Sequence, residues 1–341
     1  MATIKDIARL SGYSIGTVSR VINHHPDVSE KARKAIEAVI ASENYKPNSN
    51  AVQLKNTGYS PVTVLVKGSH NVFFESILED MQKVFRENGE EVSVAFLDED
   101  ANEVEAAIQL CVQRRPKGLI FLGGNLNYFE ESFERIEVPA VLVTVDAEEM
   151  PFENLSSVTT DDTKGARDAI EYLVSQGHER IGIIGGSLDT DLGQISDFRL
   201  SGALEVFNRQ KMNFDMDRDF EPSKFSLESG YEAARRLLKK APDITAIFAI
   251  GDMIALGAMR GIVDSGKKVP DDISVMGYDG IEYARYAVPR IATVRQDIHE
   301  LAVRSVEDLL WRLSYHRVAQ HLIIDHEIIP GESVKNIREE K

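Results

Sequence analysis

The first forty residues alternate apolar and polar positions with the period of an α-helix. Three apolar stripes follow one another: Ile4, Ile7 and Ala8; then Val18, Val21 and Ile22; then Ala32, Ile36, Val39 and Ile40. The candidate N-caps Thr3, Ser14 and Ser29 precede them, and Gly12 suits the left-handed residue that ends a helix. The pattern predicts three short helices around a small core, the first two joined by a turn of a few residues. In such a helix-turn-helix, the second helix enters the major groove of DNA.

A short polar segment, residues 48–58, follows this head and includes one isolated apolar residue near its end, Leu54. Two interpretations stay open. The segment is either a flexible linker or a hinge helix that forms when two copies meet on DNA. In the second case Leu54 is expected to act as an apolar wedge that opens a base step in the minor groove.

From Pro61 onward, apolar β-branched runs alternate with helical patterns. The predicted strands are Val62–Val66, Val92–Leu97, Gly118–Leu122, Ala140–Val145, Ile181–Ile184, Ala246–Ile250 and Ser274–Gly277. The clearest helical stretches between them are Ile77–Asn88, Glu103–Arg114, Gly165–Gln176 and Ser229–Lys240. This alternation predicts parallel sheets covered by helices on both faces. Because about 280 residues exceed one Rossmann-like unit, two such units are expected.

Composition separates the head from the rest of the chain. The 341 residues have a net charge of −16. Residues 1–60 nevertheless hold eight Lys and Arg against five Asp and Glu, a net charge of +3, which leaves −19 for the remainder. The head is therefore the expected contact for a polyanion such as DNA. A single cysteine, the lack of a signal peptide and the lack of a long apolar run predict a cytoplasmic protein that does not enter a membrane.

In open α/β sheets, ligands bind beyond the carboxyl ends of the strands. That rule selects seven candidate effector-binding residues: Phe73, Phe74, Asp146, Arg199, Phe225, Asp252 and Asp279. Carboxylates and an arginine between aromatic walls suit a small polyhydroxyl ligand. Structural interpretations stay open for several of them. Asp252 is also placed to cap a helix, Asp146 to satisfy a loop, and Phe73 and Phe225 to pack in the core.

Several motifs resemble the LacI/GalR family of bacterial transcription regulators. They are Thr3-Ile4-Lys5-Asp6-Ile7-Ala8, Thr17-Val18-Ser19-Arg20-Val21-Ile22-Asn23, Val28-Ser29, Tyr45-Lys46-Pro47-Asn48, Gly177-His178-Glu179-Arg180-Ile181, Asp252-Met253-Ile254-Ala255-Leu256-Gly257 and Val269-Pro270-Asp271-Asp272-Ile273-Ser274-Val275. The resemblance implies an all-α helix-turn-helix headpiece with a hinge helix, followed by a two-lobe α/β core of doubly wound parallel sheets, of the type I periplasmic-binding-protein kind. In that core the effector is expected between the lobes.

The expected domain boundaries follow from this resemblance. Residues 1–47 form the headpiece, residues 48–60 the hinge and linker, and residues 61–335 the effector-binding and dimerisation core. The N-lobe is expected over 61–160 and 292–320, and the C-lobe over 161–291 and 321–335, with crossovers near Thr160, Ile291 and Gln320. The predicted DNA-binding residues are Thr3, Ser14, Ile15, Gly16, Thr17, Ser19, Arg20, Asn23, Ser29, Asn48, Ala51, Leu54 and Lys55.

The chain departs from the family pattern at three positions. Gly251 stands where many sugar-responsive members have Asn, Glu332-Ser333 replaces Arg-x-Ser, and Gly193 stands where purine-binding members have an extra Arg. We therefore expect a sugar or sugar phosphate effector rather than a purine. The short, polar C-terminus lacks a heptad helix, which favours a homodimer over a tetramer.

Two other functional classes are alternatives to an operator-binding regulator. A sugar-binding transport component shares the core fold, but the headpiece and the missing signal peptide argue against it. An enzyme is not expected, because the sequence has no P-loop, dinucleotide fingerprint, Gly-x-Ser-x-Gly elbow or metal cluster. No cofactor or metal is expected.

Overall fold

The computed structural model describes residues 4–14, 17–18, 21, 29–42, 61–68, 71–186, 194–315 and 317–338. The chain divides into two compact units, residues 1–59 and residues 60–341.

The small N-terminal unit holds helices α1 (Ile4–Ser11) and α2 (Glu30–Ser42), with Thr17, Val18 and Val21 also helical. Ile7, Val18 and Ile36 are fully buried and form its core. Gly12 has a φ of 73°, the left-handed geometry predicted for the end of α1. The predicted caps Ser14 and Ser29 accept hydrogen bonds from the backbone amides of Thr17 and Ala32, at 3.2 and 3.4 Å.

The larger unit is built on two six-stranded sheets. The strands are β1 (Val62–Lys67), β2 (Val92–Leu97), β3 (Leu119–Leu122), β4 (Ala140–Val143), β5 (Leu155–Thr160), β6 (Ile181–Ile184), β7 (Phe220–Glu221), β8 (Ala246–Ala249), β9 (Ser274–Asp279), β10 (Ala292–Gln296), β11 (His321–Ile324) and β12 (His326–Ile329). One sheet has the order β11-β5-β4-β3-β1-β2 and the other β12-β10-β9-β8-β6-β7. All neighbours are parallel except β12, which runs antiparallel to β10.

Helices connect and cover these strands. Their bounds are α3 (Val72–Glu87), α4 (Glu103–Arg114), α5 (Leu126–Ser132), α6 (Asp162–Ser175), α7 (Gln194–Gln210), α8 (Met216–Asp219), α9 (Leu227–Lys240), α10 (Asp252–Asp264), α11 (Glu282–Tyr286) and α12 (Ile298–Tyr315), with a 3₁₀ turn at Phe133–Arg135. In the part of the chain that is described, none of them combines the length and apolarity needed to cross a membrane.

Two lobes follow from the sheets. The first lobe holds β1–β5, β11 and the helices α3–α5 and α12, which pack on that sheet; the second lobe holds β6–β10, β12 and α6–α11. Strands β3, β4, β8 and the start of β9 are buried on both faces, which explains why they are continuous apolar runs in the sequence.

The two later crossovers between the lobes lie several residues beyond their predicted positions. The first passes through Asp161, as expected near Thr160. The second passes through Asp297 rather than near Ile291, because residues 292–296 pair with β9 as strand β10. The third passes through Asp325 rather than near Gln320, because residues 321–324 pair with β5 in the first lobe. Both strands are short and partly polar, so the apolar pattern does not reveal them.

Candidate functional site

A cavity of about 480 Å³ lies between the two lobes. The first lobe contributes the carboxyl ends of β1, β3 and β4 and the start of α3; the second contributes α7, the start of α9 and α10, and the end of β9. Its lining residues are Lys67, Gly68, Asn71, Phe73, Phe74, Glu99, Gly123, Gly124, Asn125, Thr144, Ile195, Ser196, Arg199, Phe225, Ser226, Leu227, Glu228, Met253 and Asp279. Five of the seven predicted effector-binding residues are among them.

Arg199, in the second turn of α7, is the most heavily bonded side chain of this site. It is 3% exposed. Its Nε donates to Asp162 Oδ1 at 2.7 Å, and its Nη1 donates to the Ile250 carbonyl and lies 3.2 Å from Asp279 Oδ1. The guanidinium also stacks 3.7 Å from the centre of the Tyr278 ring. These contacts fix the arginine before any ligand arrives.

Burial and charge oppose each other in this cluster. Burial raises the pKa of Asp279 to about 6, although the Arg199 charge and a hydrogen bond from Gln296 favour its ionised form. Burial likewise raises the pKa of Asp162, against the charge of Arg199. Burial alone would lower the pKa of Arg199, but Asp162 and Asp279 outweigh it and raise that pKa. Arg199 therefore stays charged, and the pKa of Asp279 lies near 6.

Aromatic side chains from both lobes line the cavity, as predicted. Phe73 and Phe74 begin α3, where Asn71 Oδ1 accepts hydrogen bonds from both of their backbone amides. On the opposite side, Phe225 packs beside Gly251, where a Cβ would lie only 3.0 Å from the Phe225 ring. The phenyl ring thus lies against the position at which many sugar-responsive family members carry Asn. An apolar wall takes the place of the expected hydrogen bond.

Lys67, the last residue of β1, also lines the cavity and was not predicted from the sequence. Its Nζ donates to Glu103 Oε2 at 2.6 Å and lies 5.1 Å from the centre of the Tyr128 ring. Glu103 is 1% exposed and also accepts a hydrogen bond from the backbone amide of Asn125, at 2.5 Å. A lysine ending a buried strand was the available signal for this pair.

Thr144 lines the cavity, whereas the predicted Asp146 does not. Strand β4 ends at Val143 rather than Val145, and Thr144 adopts a left-handed φ of 73°. The chain then turns back, so that Asp146 accepts hydrogen bonds from Ser157 Oγ and the Glu148 amide. Thr144 Oγ1 is buried and has no hydrogen-bond partner among the described residues. Rotation of this side chain toward the cavity would let a ligand hydroxyl satisfy it.

Asp252 also lies outside the cavity lining. Its carboxylate is fully buried, accepting hydrogen bonds from Thr293 Oγ1 at 2.8 Å and from the Ile281 amide at 2.9 Å. A Cβ at Gly277 would lie 2.1 Å from Asp252 Oδ1, so the carboxylate packs directly on strand β9. It joins α10 to β10 and to the loop after β9. The predicted capping role is not seen, because Gly251 is the N-cap of α10 and these hydrogen bonds of Asp252 lead to other elements.

Most predicted DNA-binding residues lie outside the described residues: Thr3, Ile15, Gly16, Ser19, Arg20, Asn23, Asn48, Ala51, Leu54 and Lys55. Ser14, Thr17 and Ser29 are described. Ser14 and Thr17 share a hydrogen bond of 2.9 Å between their hydroxyls. Over the described ranges, no group of three or more His, Cys, Asp and Glu side chains is placed to hold a metal ion.

Comparison with known proteins assigns the chain to a family. The model of "Bacterial regulatory proteins, lacI family" matches residues 3–48, and that of "Periplasmic binding protein-like domain" matches residues 170–334. The HTH-type transcriptional regulator MalR of Clostridium butyricum is 38% identical over 341 residues, covering 98% of this chain and 99% of MalR. The chain belongs to the lacI family of bacterial regulatory proteins. This lacI-family member is thus a transcriptional regulator and not an enzyme, as predicted.

Two solved structures of transcriptional regulators share its fold. The "transcriptional regulator CelR-cellobiose complex" is 27% identical, with a TM-score of 0.70, and the alignment covers 98% of this regulator and 100% of CelR. The lac repressor dimer bound to operator and the anti-inducer ONPF is also 27% identical, with a TM-score of 0.72, covering 98% and 99% of the two chains. The predicted fold class is confirmed, a helix-turn-helix head followed by a periplasmic-binding-protein-like core.

Proposed function

We propose that this regulator is a homodimeric, operator-specific repressor of carbohydrate-utilisation genes, controlled by a sugar bound between the two lobes of its core. The observation that carries the proposal is the cavity. It combines a fixed arginine–carboxylate cluster, aromatic walls from both lobes and a Thr144 hydroxyl that has no partner among the described residues. Such a lining suits a ligand with many hydroxyl groups and flat apolar faces.

The relatives support each half of the proposal. The lac repressor structure is of a dimer on operator DNA, and the CelR structure is of a cellobiose complex. A two-fold dimer binds two half-sites, so the operator is expected to be palindromic. We assign operator specificity to Ile15, Gly16 and Arg20, in the predicted recognition helix that begins after Ser14.

Control of DNA binding follows from two-state reasoning. A sugar changes operator affinity only by binding one lobe arrangement better than another. A change in lobe arrangement alters the separation of the two hinge segments, residues 48–60, in the dimer. Hinge helices that no longer meet lose their minor-groove contact, so the sugar is expected to weaken operator binding by about 5–150-fold.

Binding-site selection with the full chain tests the DNA-binding half. A two-fold-symmetric consensus is expected, and simultaneous substitution of Ile15 and Gly16 is expected to change it. A random pool after repeated rounds would contradict operator recognition, and an unchanged consensus in the double variant would contradict this assignment of specificity. Fluorescence anisotropy on the selected duplex then measures whether a sugar lowers affinity.

A further inference from the structure

Among the described residues that line the cavity, two are cations, Lys67 and Arg199, and both are already neutralised. Lys67 Nζ lies 2.6 Å from Glu103 Oε2. Arg199 lies 2.7 Å from Asp162 and 3.2 Å from Asp279. Because three buried carboxylates contact these two cations, the described lining of the inner cavity carries no uncompensated positive charge that could hold an anion.

The rim of the cavity adds further negative charge. Glu99, just after β2, and Glu228, in the first turn of α9, are exposed and line the opening from opposite lobes. Within the described ranges, neither carboxylate forms an ion pair. Lys224 is exposed near Glu228 in sequence, but its Nζ lies 3.6 Å from Asp100 of the first lobe. An incoming anion therefore meets two unpaired carboxylates first.

Helix N-termini are the other usual binding place for phosphate, because their free amides point at the ligand. At two of the helices that line the cavity, α3 and α9, a side chain already occupies such amides. Asn71 accepts hydrogen bonds from the backbone amides of Phe73 and Phe74 at the start of α3. Ser226 accepts a hydrogen bond from the Ser229 amide at the start of α9. Helix α10 begins with Asp252, whose carboxylate is buried.

From these charges we infer that the effector is an uncharged, unphosphorylated sugar and that Glu99 and Glu228 exclude phosphorylated sugars. The inference rests on the proposed function and decides between the two effector classes that the sequence left open. The hydroxyls of an uncharged sugar hydrogen-bond to the same carboxylates that repel a phosphate. A volume of about 480 Å³ also lies within the roughly 300–1,000 Å³ of pockets that enclose drug-sized ligands. More than one sugar ring can therefore be enclosed.

Calorimetric titration of the full chain tests the inference with matched ligand pairs: ribose, glucose and cellobiose, each with its monophosphate ester. We expect at least one unphosphorylated sugar to bind, and its monophosphate to bind about 100-fold more weakly. A monophosphate that binds as tightly as its parent sugar, or more tightly, would overturn the inference and leave the sugar-effector function standing. If neither class binds, the proposed sugar-effector function fails with it.

Two double variants test whether Glu99 and Glu228 are the residues that exclude phosphorylated sugars. The double variant Glu99→Gln, Glu228→Gln is expected to bind the sugar monophosphate about tenfold more tightly. The ratio of the Kd values for the monophosphate and the sugar should therefore fall about tenfold. Glu134→Gln with Glu137→Gln removes the same charge from exposed positions before β4, at the strand end away from the cavity. This control should leave the ratio of the two Kd values unchanged. An equal fall of the ratio in both double variants would mean that net charge causes the effect, and would overturn the role of Glu99 and Glu228.

Discussion

The two walls of the cavity each present a neutralised cation, but they hold it differently. In the second lobe, Arg199 is 3% exposed and is fixed by Asp162, Asp279, the Ile250 carbonyl and the Tyr278 ring. In the first lobe, the Lys67 side chain is 15% exposed and has one carboxylate partner, Glu103. A planar guanidinium with several donors organises a cluster, whereas an ammonium on a flexible stem satisfies a single partner.

This difference assigns distinct tasks to the two walls. The second wall is rigid before the ligand arrives, so it can anchor the sugar at low entropic cost. The first wall keeps an unsatisfied hydroxyl at Thr144 and a less constrained lysine. Lys67 is paired with Glu103, but fewer contacts hold it in place than hold Arg199. We therefore expect the sugar to bind the second lobe first and to draw the first lobe onto it.

The largest expected effect comes from removing the cation of each wall in turn. Arg199→Met leaves Asp162 and Asp279 buried without a counter-charge, so the free energy of unfolding should fall by about 3–5 kcal/mol. Lys67→Met leaves Glu103 its bond from the Asn125 amide, and should cost about 1–3 kcal/mol. Urea unfolding measures both. Equal losses would contradict the asymmetry between the walls.

The second prediction concerns pH. The pKa of Asp279 is raised to about 6, so the site takes up a proton as the pH falls through that value. Sugar hydroxyls donate to the ionised carboxylate, and affinity should therefore fall by up to about tenfold per pH unit below 6. Asp279→Asn should remove this pH dependence. Calorimetric titrations between pH 5 and 8 measure it, and a flat wild-type profile would exclude Asp279 as a sugar contact.

The same shift has the opposite sign for stability. The native chain holds this proton at a pH at which the unfolded chain, with a normal Asp pKa of about 3.9, has lost it. The contribution of Asp279 to stability is therefore greatest at low pH and declines as the pH rises from about 4 to about 6. Comparing the wild type with Asp279→Asn in urea at each pH isolates this contribution.

The third prediction removes one aromatic wall. Phe225→Leu keeps an apolar side chain but loses the flat face, so sugar affinity should fall by about 3–10-fold. Phe214→Leu is the matched control, because Phe214 stacks on Phe207 in the same lobe and does not line the cavity. A comparable loss of sugar affinity in both variants would mean that Phe225 acts only through packing.

The smallest expected effect is at Thr144. Thr144→Val removes a buried hydroxyl that has no partner, so stability should stay the same or rise by about 1 kcal/mol, while sugar affinity falls about fivefold. Thr293→Val provides the contrast, because the Thr293 hydroxyl bonds Asp252; that variant should lose about 1–3 kcal/mol of stability. Unchanged sugar affinity in Thr144→Val would remove Thr144 from the site.

Sequence reasoning succeeded where topology decides position. Alternating apolar strands and helices predicted two parallel sheets, and parallel sheets place their carboxyl ends together, which located Phe73, Phe74, Arg199, Phe225 and Asp279 at one cavity. It was less successful where a single backbone turn decides which side chain points inward. Because Thr144 adopts a left-handed conformation, Thr144 lines the cavity and the predicted Asp146 does not.

Contacts between side chains that are distant in the sequence could not be predicted either. Lys67 and Glu103 are 36 residues apart, and neither position shows in the sequence that the other is near. Asp252 follows a strand, as a binding residue would, but its partner Thr293 lies on β10, a strand too short and polar to be recognised. The last two crossovers, which were taken from the family resemblance, were placed too early because β10 and β11 still pair with the sheets that precede them.

The most direct test of the account couples the cavity to DNA. Fluorescence anisotropy should be used to measure the operator Kd of the full chain with no sugar and at a saturating concentration of the sugar found by calorimetry, for the wild type and Asp279→Asn. The account predicts the same sugar-free Kd for both, and a sugar-induced weakening of about 5–150-fold in the wild type that is lost or greatly reduced in the variant. A wild-type Kd that sugar leaves unchanged, or an equal shift in both proteins, would contradict it.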